Sequence, residues 1–328
     1  MKCINKWICL SLLIAVSCVS GCGKTSAAIE QPYDVYATAA DFGLSSNGTA
    51  EAKSYFASDL CVSEDVAIGT DSTDSQVAEG AGTFNLETNT VVYAKNLYER
   101  LYHASTTKIL TAYIALKYCD DLDAMVTVSE NAVNQASDSS VCNLKAGDVI
   151  RLRDLLYGLM LRSGNDAAVA IAEYISGDVD SFAALMNQEA AAMGATRSHF
   201  VNPNGLPDEN HYTCVYDMYL IFSNAIKNDT FVSIIGTTSY DVTYTDASGE
   251  AVTHTWENTN QYLTGNATTP DGFQIVGGKT GTTGEAGYCL VLYSYNPSGQ
   301  PIISIVFKAD GKSNLYLLMN EMLQGFAI

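Results

Sequence analysis

A serine and a lysine stand three residues apart in "LYHASTTKIL", Ser105 and Lys108, where an apolar, helix-like run begins. Residues three apart on a helix share a face, so the Lys108 amine can reach the Ser105 hydroxyl. That pairing is the chemistry of an activated nucleophile. A hydroxyl attacks poorly unless a neighbour takes its proton, and a lysine does so only when burial or nearby cations lower its pKa. Taken alone, the motif reads first as a serine capping a helix that carries a surface lysine.

Two more stretches carry groups of this kind. In "LMLRSGNDAAVAIAEYI", Ser163, Gly164 and Asn165 fall in a break between helical stretches, where a hydroxyl and an amide can face one cavity. Ordinary turn chemistry, with Asp166 capping the next helix, accounts for the same residues. In "IVGGKTGTTGEAGYCLV", Lys279 offers a positive charge, Thr280 and Thr282 offer hydroxyls, and Gly277, Gly278 and Gly281 let another molecule approach the backbone. The spacing is not that of a phosphate-binding loop.

Order and placement connect the three. SxxK is followed 58 residues later by SxN and a further 116 residues on by KTG, at a helix start, a helix break and a strand. This pattern resembles the penicillin-recognising serine acyl-transferases. The wording of "LRSGNDAAVAIAE", "SFAALMNQEAAAMGATRSHFVNPNGLPDENHYTCVYDMYLI" and "KTGTTGEAGYCLV" narrows the resemblance to the D-alanyl-D-alanine carboxypeptidases, the low-molecular-mass penicillin-binding proteins, over residues 80 to 310.

The resemblance implies a role for each matching position. Ser105 would attack the carbonyl between the two terminal D-alanines of a peptidoglycan stem peptide, with Lys108 as base. Ser163 would relay protons toward the leaving amine, and Asn165 would hold Lys108 and the substrate backbone. Lys279 and Thr280 would attract the terminal carboxylate. Gly281 and Thr282 would lie along the substrate, the N–H groups of Ser105 and Thr282 forming the oxyanion hole. β-Lactam antibiotics would inhibit, and no metal or cofactor is implied. A β-lactamase is the nearest enzymatic rival and would need a glutamate after the second motif; here Glu209 arrives only beside a turn. A transpeptidase shares the chemistry, and a non-catalytic wall-binding lipoprotein would keep the cleft without turnover.

The elements that must hold these groups are legible in outline. "AGTFNLETNTVVYAKN" and "GYCLVLYSYNPSGQPIISIVFKAD" each read as a hairpin near one end of the chain, and "SYDVTYTDASGEAVTHTW" as a third. Helical spacing runs over Ser105 to Tyr118, Leu152 to Leu161, 166 to 176 and 181 to 193, and "SNLYLLMNEMLQGF" reads as a last helix capped by Ser313. Strands at both ends with helices between predict an α+β fold, an antiparallel sheet formed from both chain ends with an inserted helical subdomain. The resemblance makes it β-lactamase/transpeptidase-like.

The chain of 328 residues begins with Lys2 and Lys6, an apolar run from Trp7 to Val19 and small residues before Cys22, the pattern of a secretory signal. Val19-Ser20-Gly21-Cys22 resembles a bacterial lipobox. Residues 1–21 are therefore expected to be a lipoprotein signal, Cys22 the lipid-bearing residue, 22–54 a flexible tether and 55–328 the catalytic domain. That places the mature protein outside the cytoplasm, held to a bacterial membrane. Many carboxypeptidases of this kind carry a second β-rich domain and a C-terminal amphipathic helix; with Ile328 only 47 residues past Gly281, a catalytic domain anchored at its other end is expected instead.

Acidic residues outnumber basic ones 36 to 17, for a net charge of −19, which argues against a nucleic-acid partner. Cys61, Cys119, Cys142, Cys214 and Cys289 would remain after processing. An odd number without CxxC spacing suggests mostly buried free thiols and at most one bridge. The four histidines show no metal-binding spacing.

Overall fold

The structure is a computed structural model and describes residues 57–328. The expected signal, Cys22 and the tether lie outside the described residues.

Period-two alternation at both ends of this stretch builds the main sheet. β1 (Ala78–Asn85) and β2 (Thr90–Lys95) form the first hairpin expected, and β8 (Gly287–Tyr295) and β9 (Pro301–Ala309) the last. β9 pairs antiparallel with β1, which joins the two ends, and β7 (Gln274–Thr283) adds the edge nearest the site. The order is β2-β1-β9-β8-β7. Successive side chains on a strand point to opposite faces, and β9 shows the consequence. Ile303, Ile305 and Phe307 face the larger core, while Ile302 and Val306 face a smaller one closed by the C-terminal helix.

The inserted segment supplies the helices: α1 (Lys108–Tyr118), α2 (Glu130–Val133), α3 (Leu152–Leu161), α4 (Asn165–Ser176), α5 (Val179–Ala192), α6 (Val215–Ala225) and α7 (Asp229–Ile235). A single turn, α8 (Gln261–Thr264), precedes β7, and α9 (Lys312–Phe326) ends the chain. α1 runs through the middle of the body, with Ile109, Leu110, Ala112, Ile114 and Ala115 all fully buried. α6 binds helices to sheet: Tyr219 stacks on Phe84 of β1 with ring centroids 4.2 Å apart. An aromatic pair of this kind contributes about 0.5–1.5 kcal/mol beyond its buried area.

The third hairpin forms as read, β5 (Ser239–Thr245) with β6 (Ala251–Glu257), and Tyr240, Val242 and Tyr244 stand opposite Trp256, His254 and Val252. It belongs to a second sheet, β3-β4-β5-β6, that the sequence did not announce. β3 (Met125–Thr127) and β4 (Val149–Arg151) are three residues each, too short to show a period.

Two caps differ from expectation. Gly311, not Ser313, is the N-cap of α9, and Ser313 lies inside the first turn. Asp166 likewise sits inside α4, whose N-cap is Gly164. The five described cysteines are all free thiols, four of them buried.

Candidate active site

The turn before α1 is tighter than helical spacing suggested. Ala104–Thr107 forms a 3₁₀ turn and the α-helix starts only at Lys108. Ala104 takes φ +48°, a left-handed conformation that costs a residue with a Cβ on the order of 1–3 kcal/mol. Side chains of the turn fasten it: Thr106 Oγ1 donates to the His103 carbonyl at 2.7 Å and Thr107 Oγ1 to the Ala104 carbonyl at 2.8 Å.

Ser105 and Lys108 do meet. Lys108 is fully buried, and its Nζ lies 3.0 Å from Ser105 Oγ, 2.7 Å from Asn165 Oδ1 and 2.6 Å from the Asn204 carbonyl. Burial, and after it the charge of Lys279, push the Lys108 pKa well below the ordinary lysine range.

Between α3 and α4 the chain turns through Ser163 at φ +59°, a second strained non-glycine residue beside the site. Asp166 fixes the segment opposite. Its buried carboxylate accepts from the N–H groups of Cys142 at 2.9 Å and Leu144 at 3.1 Å, while the Asn165 N–H donates to the Ser140 carbonyl at 2.8 Å. Loop 140–144 is thereby tied to the start of α4, and Asn165 presents its amide to Lys108.

β7 closes the third side. Lys279 is 1% exposed and donates to Ser163 Oγ at 3.0 Å and to the Thr280 carbonyl at 2.7 Å. Burial lowers its pKa to about 7. Gly281 is required by proximity: a Cβ there would stand 2.9 Å from the His103 carbonyl oxygen and 3.0 Å from the Ser105 nitrogen. Thr280 Oγ1 pairs with Thr259 Oγ1 at 2.6 Å, and Thr282 Oγ1 donates to the Gly281 carbonyl at 2.8 Å.

All eight candidate residues among those described therefore converge; Cys22 lies outside. Ser105, Asn165 and Thr282 line a cavity of about 960 Å³ whose wall includes Asp138, Glu285 and Asp310. A smaller one of about 150 Å³ is lined by Ser105, Ser163, Thr280, Gly281 and Thr282, with Lys312 as an additional cation. Sequence reasoning missed Lys312, the Asn204 carbonyl and the histidines behind the turn. Asn-Gly in "NPNGLP" signals a turn, but a backbone carbonyl carries no residue signature.

A family model described as D-alanyl-D-alanine carboxypeptidase matches residues 69–311. A protein named D-alanyl-D-alanine carboxypeptidase from Bacillus subtilis is 33% identical over 251 residues, covering 75% of this chain and 61% of its own length. One of that name from Streptomyces sp. K15 is 34% identical, covering 76% and 88%. The crystal structure of the Streptomyces K15 DD-transpeptidase superposes with a TM-score of 0.69 at 33% identity, over 77% of this chain and 98% of that one. A D-alanyl-D-alanine carboxypeptidase from Francisella tularensis superposes with a TM-score of 0.67 at 28% identity, over 81% and 72%.

Proposed function

The chain belongs to the D-alanyl-D-alanine carboxypeptidase family of serine peptidases, and we propose that it removes the terminal D-alanine from peptidoglycan stem peptides through an acyl-enzyme on Ser105. It spans about 61% of the Bacillus relative's length, so the activity is argued from this chain's own site.

The observation that carries the reading is the set of partners around Lys108. The Asn204 carbonyl and Asn165 Oδ1 can only accept, so a neutral amine donates its two hydrogens to them and turns its lone pair to the Ser105 hydroxyl. As Ser105 Oγ bonds to the scissile carbonyl carbon, its proton passes to Lys108. The carbonyl oxygen becomes an oxyanion, held by the N–H groups of Ser105 and Thr282. Donors so placed contribute about 3 kcal/mol each. The C–N bond then breaks, and the proton held by Lys108 passes by way of Ser163, whose hydroxyl receives a hydrogen bond from Lys279, to the nitrogen of the departing D-alanine. Water then attacks the ester, Lys108 taking its proton and passing it to Ser105 Oγ as the ester bond breaks. Lys279 and Thr280 receive the substrate carboxylate. A β-lactam would acylate the same hydroxyl, its leaving nitrogen staying tethered to the acyl group.

Glu209 is exposed and lines neither cavity, which disfavours a β-lactamase-type deacylation. Transfer to an amine in place of water is the second reading, since the Streptomyces K15 relative is named a DD-transpeptidase in its crystal structure. Action on the wall places the protein outside the cytoplasm, and a lipid on Cys22 would hold it to the membrane; no helix among the described residues is long and apolar enough to cross one.

Fluorescent-penicillin labelling and D-alanine release from a pentapeptide mimic test the reading. Wild type should do both and Ser105→Ala neither, the activity falling by at least about a thousandfold. Equal labelling of both proteins would refute the nucleophile. Labelling without release would point to a sensor, and a product carrying an added amine in place of the free acid to a transpeptidase.

A further inference from the structure

Behind the Ala104–Ser105 peptide, two imidazoles converge on one hydroxyl. His103 Nε2 and His211 Nε2 each lie 2.9 Å from Thr107 Oγ1, and none of the three residues is more than 1% exposed. The rings stack with centroids 5.0 Å apart, and Phe200 stands edge-on to both. None of the three lines either cavity.

The protons can be assigned from the partners. His211 Nδ1 accepts from the Val201 N–H at 3.1 Å, so its own hydrogen is on Nε2 and points at Thr107. His103 Nε2 is the second ring nitrogen in contact with that hydroxyl. Burial holds both rings neutral. The His211 N–H thus donates to the Thr107 oxygen, and the Thr107 hydrogen is directed at the Ala104 carbonyl at 2.8 Å.

That carbonyl shares a peptide plane with the Ser105 N–H. No peptide bond among the described residues is cis, so the two groups point in opposite directions, and fixing one aims the other. The Ser105 nitrogen faces Gly281 of β7, on the side where an oxyanion would sit. We propose that Thr107, with its hydroxyl oriented by His103 and His211, is a positioning residue that aims the oxyanion-binding N–H of Ser105. The strained φ of Ala104 gives the device its purpose, because a left-handed alanine relaxes unless its carbonyl is held. The inference rests on Ser105 being the nucleophile.

Thr107→Val keeps the side-chain shape and removes the hydroxyl, while Thr107→Ser keeps the hydroxyl. A peptide boronic acid, which forms a tetrahedral adduct on a nucleophilic serine, reports the oxyanion site directly. Thr107→Val should lower kcat and boronate affinity together, by roughly ten- to a hundredfold, and leave KM within about twofold. Thr107→Ser should restore both. Rates are normalised to the folded fraction from circular dichroism. If the valine variant does not fold, His211→Phe, which keeps a stacked ring and removes the donor to Thr107, should lower kcat and boronate affinity about three- to tenfold. Unchanged kcat in the folded variants, loss of kcat without loss of boronate affinity, or failure of Thr107→Ser to rescue would overturn the assignment. Ser105→Ala separates the two readings: if it is inactive while Thr107→Val works normally, only the positioning role fails, and if it stays active, both do.

Discussion

Two lysines share one buried cluster, and at the scale of residues their mutual repulsion is part of the chemistry. Burial comes first and the Lys279 charge second in lowering the Lys108 pKa, and Lys108 acts as a base only without its proton. Removing the Lys279 charge with Lys279→Gln should therefore raise the Lys108 pKa. The rise of penicillin acylation rate with pH should move to higher pH in the residual activity, beside a large loss of rate. A rise that stays in place, or moves lower, would show that the charge does not act on Lys108. Ser105, Lys108, Ser163, Asn165 and Lys279 were all legible as residue types at motif spacing. The third partner of Lys108, the Asn204 carbonyl, was not, because any residue supplies a carbonyl. The histidines behind Thr107 escaped for a related reason: their partners lie in a threonine four residues away from one and 104 from the other.

At the scale of elements, the site is assembled at places where regular structure stops. Ser105 lies in a 3₁₀ turn ahead of α1, Ser163 in the break before α4, and the loop carrying Asn204 crosses over the turn. Gly205 shows how close that crossing is. It takes φ +88°, and a Cβ there would stand 2.0 Å from the Ala104 oxygen. Gly205→Ala should therefore lower unfolding free energy by about 1–3 kcal/mol or more and slow acylation of Ser105, because the carbonyls of Asn204 and Ala104 would both be displaced. Urea denaturation with wild-type stability would contradict this. The helices and hairpins were readable from their periods, and the start of α9 was misread because Ser313 has cap chemistry although Gly311 has the cap geometry. The 3₁₀ turn was read as helix because four residues cannot separate periods of 3.0 and 3.6.

For the whole molecule, pairing of β1 with β9 brings the two ends of the described fold side by side, with the site at the far edge, on β7. Cys61, ahead of β1, is held by Tyr219 and Tyr216 of α6 and lines neither cavity. A lipid on Cys22 and the chemistry at Ser105 should therefore be separable. Cys22→Ala should move the protein from the membrane to the soluble fraction while D-alanine release stays within about twofold, a difference below about 0.4 kcal/mol. Continued membrane association of the variant would refute the anchor.

By itself, the sequence determined the family, the antiparallel sheet from both chain ends, the inserted helices and the identity of the reacting groups. Those are properties of residue type, order and local period. Tertiary structure alone decided that Ser163 meets Lys279 rather than Lys108, that a backbone carbonyl completes the shell of Lys108, and that two histidines orient a threonine. Apart from His103 and Thr107, these contacts join residues 96 to 116 positions apart, and only packing brings them together.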